Sequence, residues 1–389
     1  ALVVATEWCG SHFELCDTGG INFEDEHFQQ KIINQVDRAI ELADLLLFVV
    51  EPNIIPLDYE VAEHIRISGK PVVLAVNKID YSNFIDTALE GHSLGFGEPY
   101  AVSAMTGLGS GDLLDGIVAN LPECSEGGGE SLISVAIAGR PNVGKSTLLN
   151  KILGDEVVIV DDTPGTTRDA IDIVLKYDGR RINFIDTAGL LKKQEGIEYF
   201  SSLRTIDAIK RSDIVLLLVD ATQGIGRVEK SIAALAVEHY KGIIVLVNKW
   251  DLFPEKETNT AKEVREKILN DAAFLSFCPF IFTSALTGKN VRKVISKIIE
   301  INEKRSKHIP TSQVNDFINK IYKKLPYHGK LNVGLKYATQ VSVSPPEFLL
   351  FHKKANSIPD NWRKNLVNAL RREYDFEGVP IKISVRESK

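Results

Sequence analysis

Residues 139–147, GRPNVGKST, place two glycines five positions apart and follow the second with a lysine and two hydroxyls. That spacing suits one kind of chemistry. The glycines let successive backbone N–H groups turn inward around an anion, and a helix opening behind them adds its positive end. Asn142, Val143, Gly144, Lys145, Ser146 and Thr147 are the expected phosphate cradle, with Lys145 reaching the β- and γ-phosphates and Ser146 holding Mg²⁺. Asp186-Thr-Ala-Gly189 supplies a carboxylate for the Mg²⁺ water shell and a Gly189 N–H for the γ-phosphate. Asn248-Lys249-Trp-Asp251 selects the base, because the Asp251 carboxylate can accept from both N1–H and the exocyclic amine of guanine, a donor pair adenine lacks. Ser284-Ala285-Leu286 is placed to close over the guanine oxygen through the Ala285 N–H. Between the first two motifs, residues 161–169 (DDTPGTTRD) have loop composition, and a threonine there can complete Mg²⁺ coordination when the γ-phosphate is present; Thr167 is the choice and Thr166 the alternative. A bare glycine turn or a stray DxxG explains any one of these pieces, but not four in this order. GTP, with GDP as product, is the expected ligand.

The elements that must carry these residues are short apolar strands, each feeding a loop. Ile133–Ala138 runs into the phosphate loop and a helix starts at Leu148, while strands 181–185, 242–247 and 279–283 precede the other three motifs. Alternation with amphipathic stretches such as Tyr199–Ile209 predicts βαβ units and a mostly parallel sheet with helices on both faces.

The same order occurs twice. GSHFELCDTGG (10–20) matches GRRINFIDTAG (179–189), and Asp17 precedes Asp44 by 27 positions, as Asp186 precedes Asp213. The first copy keeps Asp17 and Gly20, then Asn77, Lys78 and Asp80, then Ser103 and Ala104, so its guanine-binding pieces are present. Its phosphate loop and switch region are absent. Aligning Ala1–Val4 with Val157–Val160 and Ala5 with Val174 implies that roughly 13 positions are missing after Val4, and the sequence is expected to omit part of a fuller protein. Such a half can contact a base but not cradle phosphates, so weak nucleotide binding is expected, and a sheet lacking its first strand should expose an edge. The expected layout is a first, incomplete G domain over 1–125, a linker over 126–131 (EGGGES), a complete G domain over 132–307 and a further α+β domain over 308–389. The last reads helix, strand, strand, helix, strand.

Composition narrows the functional classes. Apolar residues at 44% and charged ones at 25% fit globular domains, and the longest apolar runs are far short of a membrane helix. Four scattered cysteines, without ligand spacing, argue against zinc or a disulfide framework. Net charge is −6, yet 310–389 carries 14 Lys and Arg against 7 Asp and Glu. The basic tail could meet RNA phosphates through Lys323, Lys324, Lys353, Lys354, Arg363, Lys364, Arg371 and Arg372, or be only a solvated face.

On these motifs and this duplication the chain resembles the Der (EngA) family, bacterial GTPases with two Era-like G domains and a C-terminal KH-like domain, over essentially its whole length. The resemblance implies a cytoplasmic, monomeric GTP hydrolase acting in assembly of the large ribosomal subunit, with precursor particles and ribosomal RNA as partners and neither membrane nor DNA. It implies K⁺ stimulation, with Asn142 beside the phosphates placing the ion; a turn-capping role for Asn142 is the plainer alternative. Lys145, Thr167, Gly189 and Asn142 are then the catalytic set; Ser146, Thr167 and Asp186 would hold Mg²⁺ and Asn142 the K⁺. Two departures stand out. Leu190 occupies the position where Ras-like enzymes carry a water-orienting glutamine, and no GxxG loop appears between the tail's helices. Competing readings are a GTP-stabilised RNA-binding scaffold and a tRNA-modification GTPase, though the latter carry one G domain and an added catalytic end.

Overall fold

The computed structural model describes residues 2–17, 40, 42–80, 89–122, 132–154, 159–161, 172–185, 198–253, 259–324, 335–353 and 358–387. They fall into two units, one of Ala1–Cys124, His308–Ala369 and Ile383–Lys389, the other of Ser125–Lys307 and Leu370–Lys382.

In the first unit, β1 (Leu2–Trp8) and β2 (Ser11–Asp17) form an antiparallel hairpin closed at Trp8↔Ser11. The two-residue loop, Cys9 at φ 47° and Gly10 at φ 88°, has the left-handed backbone whose twist matches that of the strands. Strands β3 (Leu46–Val50), β4 (Val72–Val76) and β5 (Tyr100–Ala101) make a separate parallel sheet. Helix α1 (Pro56–Ile67) starts on a proline at its first turn, with Ile55 N–H donating to Asp58 at 2.9 Å, and buries Ala62 and Ile65 against Phe48, Leu74 and Val76. Helix α2 (Ser110–Asn120) follows β5.

The second unit repeats this plan with two strands more, β6 (Leu132–Ala138) and β7 (Ile159–Asp161). β6 lies between β10 (Ile214–Asp220) and β9 (Arg180–Phe184) and joins everything into a seven-stranded sheet, with β7 and β8 (Ile173–Tyr177) on one side, β11 (Gly242–Asn248) and β12 (Phe280–Phe282) on the other. The β8–β9 loop again uses two left-handed residues, Asp178 and Gly179. Strands β6, β9, β10, β11 and β12 are parallel, and every residue of β10 and β11 is buried. Since successive side chains point to opposite faces, both faces of this sheet are covered. Helices α3 (Lys145–Leu153), α4 (Glu198–Arg211), α5 (Arg227–Glu238), α6 (Thr260–Asp271) and α7 (Val291–Arg305) supply that cover.

Among the described residues the first repeat has no counterpart of β6, which explains why its hairpin and its three-stranded sheet stay separate. The cost shows on the side chains. Val49 on β3 remains 51% exposed, whereas its counterpart strand β10 is fully buried. The repeated Asp213 has a structural job far from the strand ends that carry the motifs: its carboxylate accepts Ser134 N–H at 2.9 Å and Arg305 Nη1 at 2.8 Å, pinning β6 and the end of α7 to the start of β10.

The tail has the order read from its sequence, α8 (Thr311–Lys324), β13 (Leu335–Val343), β14 (Pro346–His352), α9 (Asp360–Tyr374) and β15 (Lys382–Glu387), with its sheet ordered β13-β14-β15. Within the first unit, the Tyr337 hydroxyl accepts the Gly111 and Asp112 N–H groups at 2.9 and 3.3 Å, capping α2 from more than two hundred residues away. Within the second, Gly378 joins the edge of β11: its carbonyl accepts Ile243 N–H at 2.8 Å and its N–H donates to Phe277 O at 2.7 Å. Arg371 lies 4.2 Å over the Phe277 ring, and burial pushes its pKa down to about 10. A Cβ on Gly378, at φ +71°, would meet Ile301 Cδ1 at 2.5 Å. Gly378→Ala should therefore destabilise the second unit by about 2–4 kcal/mol, read by denaturant unfolding, with early loss of hydrogen-exchange protection at Ile243; a change below about 0.5 kcal/mol would contradict this docking.

Among the described residues, no helix is long and apolar enough to cross a membrane, and Cys9, Cys16 and Cys278 are unpaired thiols.

Candidate nucleotide site

All the described site residues of the second repeat lie at the carboxyl ends of parallel strands, where loops from neighbouring strands converge. β6 delivers residues 139–147. Gly139, Asn142 and Gly144 have φ of +156°, +59° and +102°, and Gly144 is the N-cap of α3 without any side-chain cap. The first amides of α3 are thus left to face a ligand, as an anion site requires. The Asn142 side chain is exposed and Val143 is fully buried as the loop's anchor. Lys145 curls back over the loop, its ammonium donating to the carbonyls of Gly139 (2.9 Å) and Arg140 (2.8 Å). Burial pushes the Lys145 pKa down, and the nearby Glu229 carboxylate opposes that shift.

The base-reading end is tied directly to this loop. Asn248, buried at the end of β11, donates through Nδ2 to Val143 O at 2.8 Å and accepts from Ala285 N–H at 3.0 Å and Thr283 Oγ1 at 3.3 Å. A Cβ on Gly144 would stand 2.4 Å from Asn248 Nδ2, so only glycine allows this approach. The Ala285 N–H, expected to reach a guanine oxygen, donates in this structure to Asn248 Oδ1; a buried amide oxygen needs a donor, and this is the adjacent one. Ser284 is buried and accepts Thr287 N–H at 3.2 Å, while Leu286 stands 75% exposed at the rim. Asp251 lies half-buried in a short 3₁₀ turn, Trp250–Leu252, secured by Trp250 N–H to Thr283 O at 3.0 Å.

Lys249, left-handed at φ +59°, carries an interaction the motif did not announce: its ammonium lies 2.8 Å from the buried Asp220 carboxylate. Burial pushes the Asp220 pKa up, but Lys249 and the two Thr222 donors, N–H and hydroxyl, outweigh it and hold the group below the usual carboxylate value. The signal was in the repeat: ADLLLFVVE and SDIVLLLVD both end on an acid, Glu51 and Asp220. In the first repeat Lys78, also left-handed (φ +69°), pairs with Glu51.

The first repeat reproduces three backbone N–H bonds of the base-reading frame. Ala104 N–H donates to Asn77 Oδ1 at 3.0 Å, Ile79 N–H to Val102 O at 3.0 Å, and Gly107 N–H to Ser103 O at 2.8 Å, as Ala285, Trp250 and Gly288 do in the second. Here the Ser103 hydroxyl also donates to Asp80 at 2.7 Å. Asp17 closes β2, paired with Leu2. The described residues contain no phosphate loop for Asn77 to meet.

Thr166, Thr167, Asp186, Gly189 and Leu190, with Gly20 in the first repeat, lie outside the described residues, as do the side chains of Lys323 and Lys324, all of Lys354, and the 126–131 linker. The structure brings together the phosphate-loop, NKWD and SAL residues. Two partners escaped sequence reasoning, Asp220 and the Arg140–Glu229 pair, because neither belongs to a nucleotide motif.

The family described as 50S ribosome-binding GTPase matches residues 2–78 and 134–249. The KH-domain-like C-terminal domain of EngA bacterial GTPase enzymes matches residues 308–386. GTPase Der of Caldanaerobacter subterraneus subsp. tengcongensis is 43% identical over 390 residues, covering 98% of this chain and 89% of that protein. GTPase Der of Clostridium tetani is 42% identical over 392 residues, covering 98% and 89%. GTPase Der of Gemmatimonas aurantiaca is 40% identical over 389 residues, covering 98% and 88%.

Proposed function

Because the chain belongs to the GTPase Der family and is a GTP hydrolase with a KH-like C-terminal domain, we propose that the second repeat, 132–307, is its hydrolytic centre and that its GTP cycle times assembly of the large ribosomal subunit in the cytoplasm. The observation that carries this is the Asn248 side chain, bonded at once to the phosphate loop through Val143 O and to the base loop through Ala285 N–H. A single rigid frame then sets the distance between a triphosphate and a guanine.

In that frame the amides of 142–147 and the start of α3 hold the phosphates, Lys145 leaves its two carbonyl partners for the β- and γ-oxygens, and Asp251 reads the base. Ser146, Thr167 and Asp186 are hard oxygen donors of the type Mg²⁺ takes, and they would hold an ion that neutralises charge on the phosphates. Asn142, with an exposed amide on left-handed backbone at the loop's rim, fits a K⁺ that would supply positive charge beside the leaving group. Leu190 offers no side-chain hydrogen bond to the attacking water, so that water must be positioned by other groups while the Gly189 N–H serves the γ-phosphate. Replacing K⁺ by Na⁺ at constant ionic strength should slow GTP turnover about tenfold or more, with Asn142→Ala abolishing the difference between the ions; equal rates in both salts would remove the ion from the mechanism.

The first repeat, 1–125, contributes a guanine-reading frame, and the basic 308–389 region, joined to a monomeric chain, contacts ribosomal RNA on precursor particles. The test is co-sedimentation with large-subunit precursors. Retention with a non-hydrolysable GTP analogue and release with GDP is expected; equal retention in both states would reject a nucleotide-timed cycle.

A further inference from the structure

Arg140 is the second residue of the phosphate loop, and its main chain and side chain face different tasks. Its carbonyl accepts the Lys145 ammonium at 2.8 Å. Its guanidinium reaches across to the loop and helix after β10: Nε donates to Glu229 Oε1 at 2.5 Å, Nη1 to Gln223 Oε1 at 2.7 Å and Nη2 to Gly224 O at 2.6 Å. Glu229 is fully buried, and its other oxygen accepts Gly226 N–H at 3.0 Å, capping α5. A buried carboxylate beside an anion site works against the ligand unless a cation cancels it. Its field already reaches Lys145.

We infer that Arg140 is a positioning residue of the nucleotide site: its guanidinium cancels the buried Glu229 charge and fixes the 220–229 segment, so that Lys145 and the loop amides are offered to a polyphosphate undiminished. This rests on the phosphate-loop reading above. Charge cancellation has a signature that a purely structural bond lacks, because the penalty for its loss grows with the number of phosphates on the ligand.

The experiment is calorimetric titration of the full chain with GMP, GDP and a non-hydrolysable GTP analogue. Arg140→Met should weaken GMP by less than about threefold and the GTP analogue by about tenfold or more, and adding Glu229→Gln in the same chain should recover most of that loss. Equal losses for all three ligands, or no recovery in a double variant with wild-type circular dichroism, would overturn the inference. Should Arg140→Met unfold, Arg140→Gln, which keeps an amide donor toward the Gly224 carbonyl, carries the same comparison. Failure of the wild-type chain to bind GDP would instead strike at the phosphate-loop reading itself.

Discussion

Lys145→Ala lowers the single-turnover rate of GTP hydrolysis by about 10³-fold or more, while the folded state survives. Lys145 is the first residue of α3, half-buried, and its two protein contacts are to carbonyls of its own loop. Those contacts orient the ammonium without neutralising it, since a carbonyl carries no net charge. The ammonium therefore meets the phosphates as a full charge in a partly desolvated site, where an electrostatic contact counts for most. Removing it deletes that charge but no core packing, so the thermal midpoint should move by only a few degrees. Phosphate release measured with enzyme in excess over GTP gives the rate; a loss smaller than about tenfold would mean that the lysine does not face the reacting phosphates. If the variant nonetheless matures large subunits normally, nucleotide serves only as structural support and the scaffold reading gains.

Asp251→Asn exchanges the base preference, costing GDP about 10³-fold in affinity and favouring XDP instead. The carboxylate sits on a turn with little freedom: Trp250 stacks on Phe253 at 5.0 Å and packs against Phe282 at 4.6 Å, and its N–H is bonded to Thr283. Asparagine keeps the shape, yet presents an N–H where guanine also has one, and a buried donor facing a donor is left unpaired. Xanthine, with an oxygen at that position, satisfies it. Competition binding of GDP and XDP measures the exchange; an unaltered ratio would mean that guanine is read elsewhere.

Much of the site was legible because its parts are local. The glycine spacing in 139–144 encodes a backbone that can turn around an anion, and the left-handed φ of Gly144 is what the motif demands. The strands expected ahead of each motif became β6, β9, β11 and β12 with small shifts at their ends; β11, buried on both faces, reads as a continuous hydrophobic stretch. The tail's order of elements followed from its own periodicities. Glu229 belongs to no nucleotide motif, and nothing within ten positions of it shows that Arg140, 89 residues earlier, reaches it.

The sequence by itself determined which ligand chemistry this protein can offer, since the order and spacing of glycine, lysine, hydroxyl and carboxylate along each strand end are local properties of the chain. Only the tertiary structure decided which charges are balanced and which surfaces are covered: Lys249 by Asp220, Glu229 by Arg140, and β10 by the β6 that its first-repeat counterpart lacks among the described residues. The physical reason is that charge compensation and burial depend on distance in space, which strand order sets and sequence separation does not.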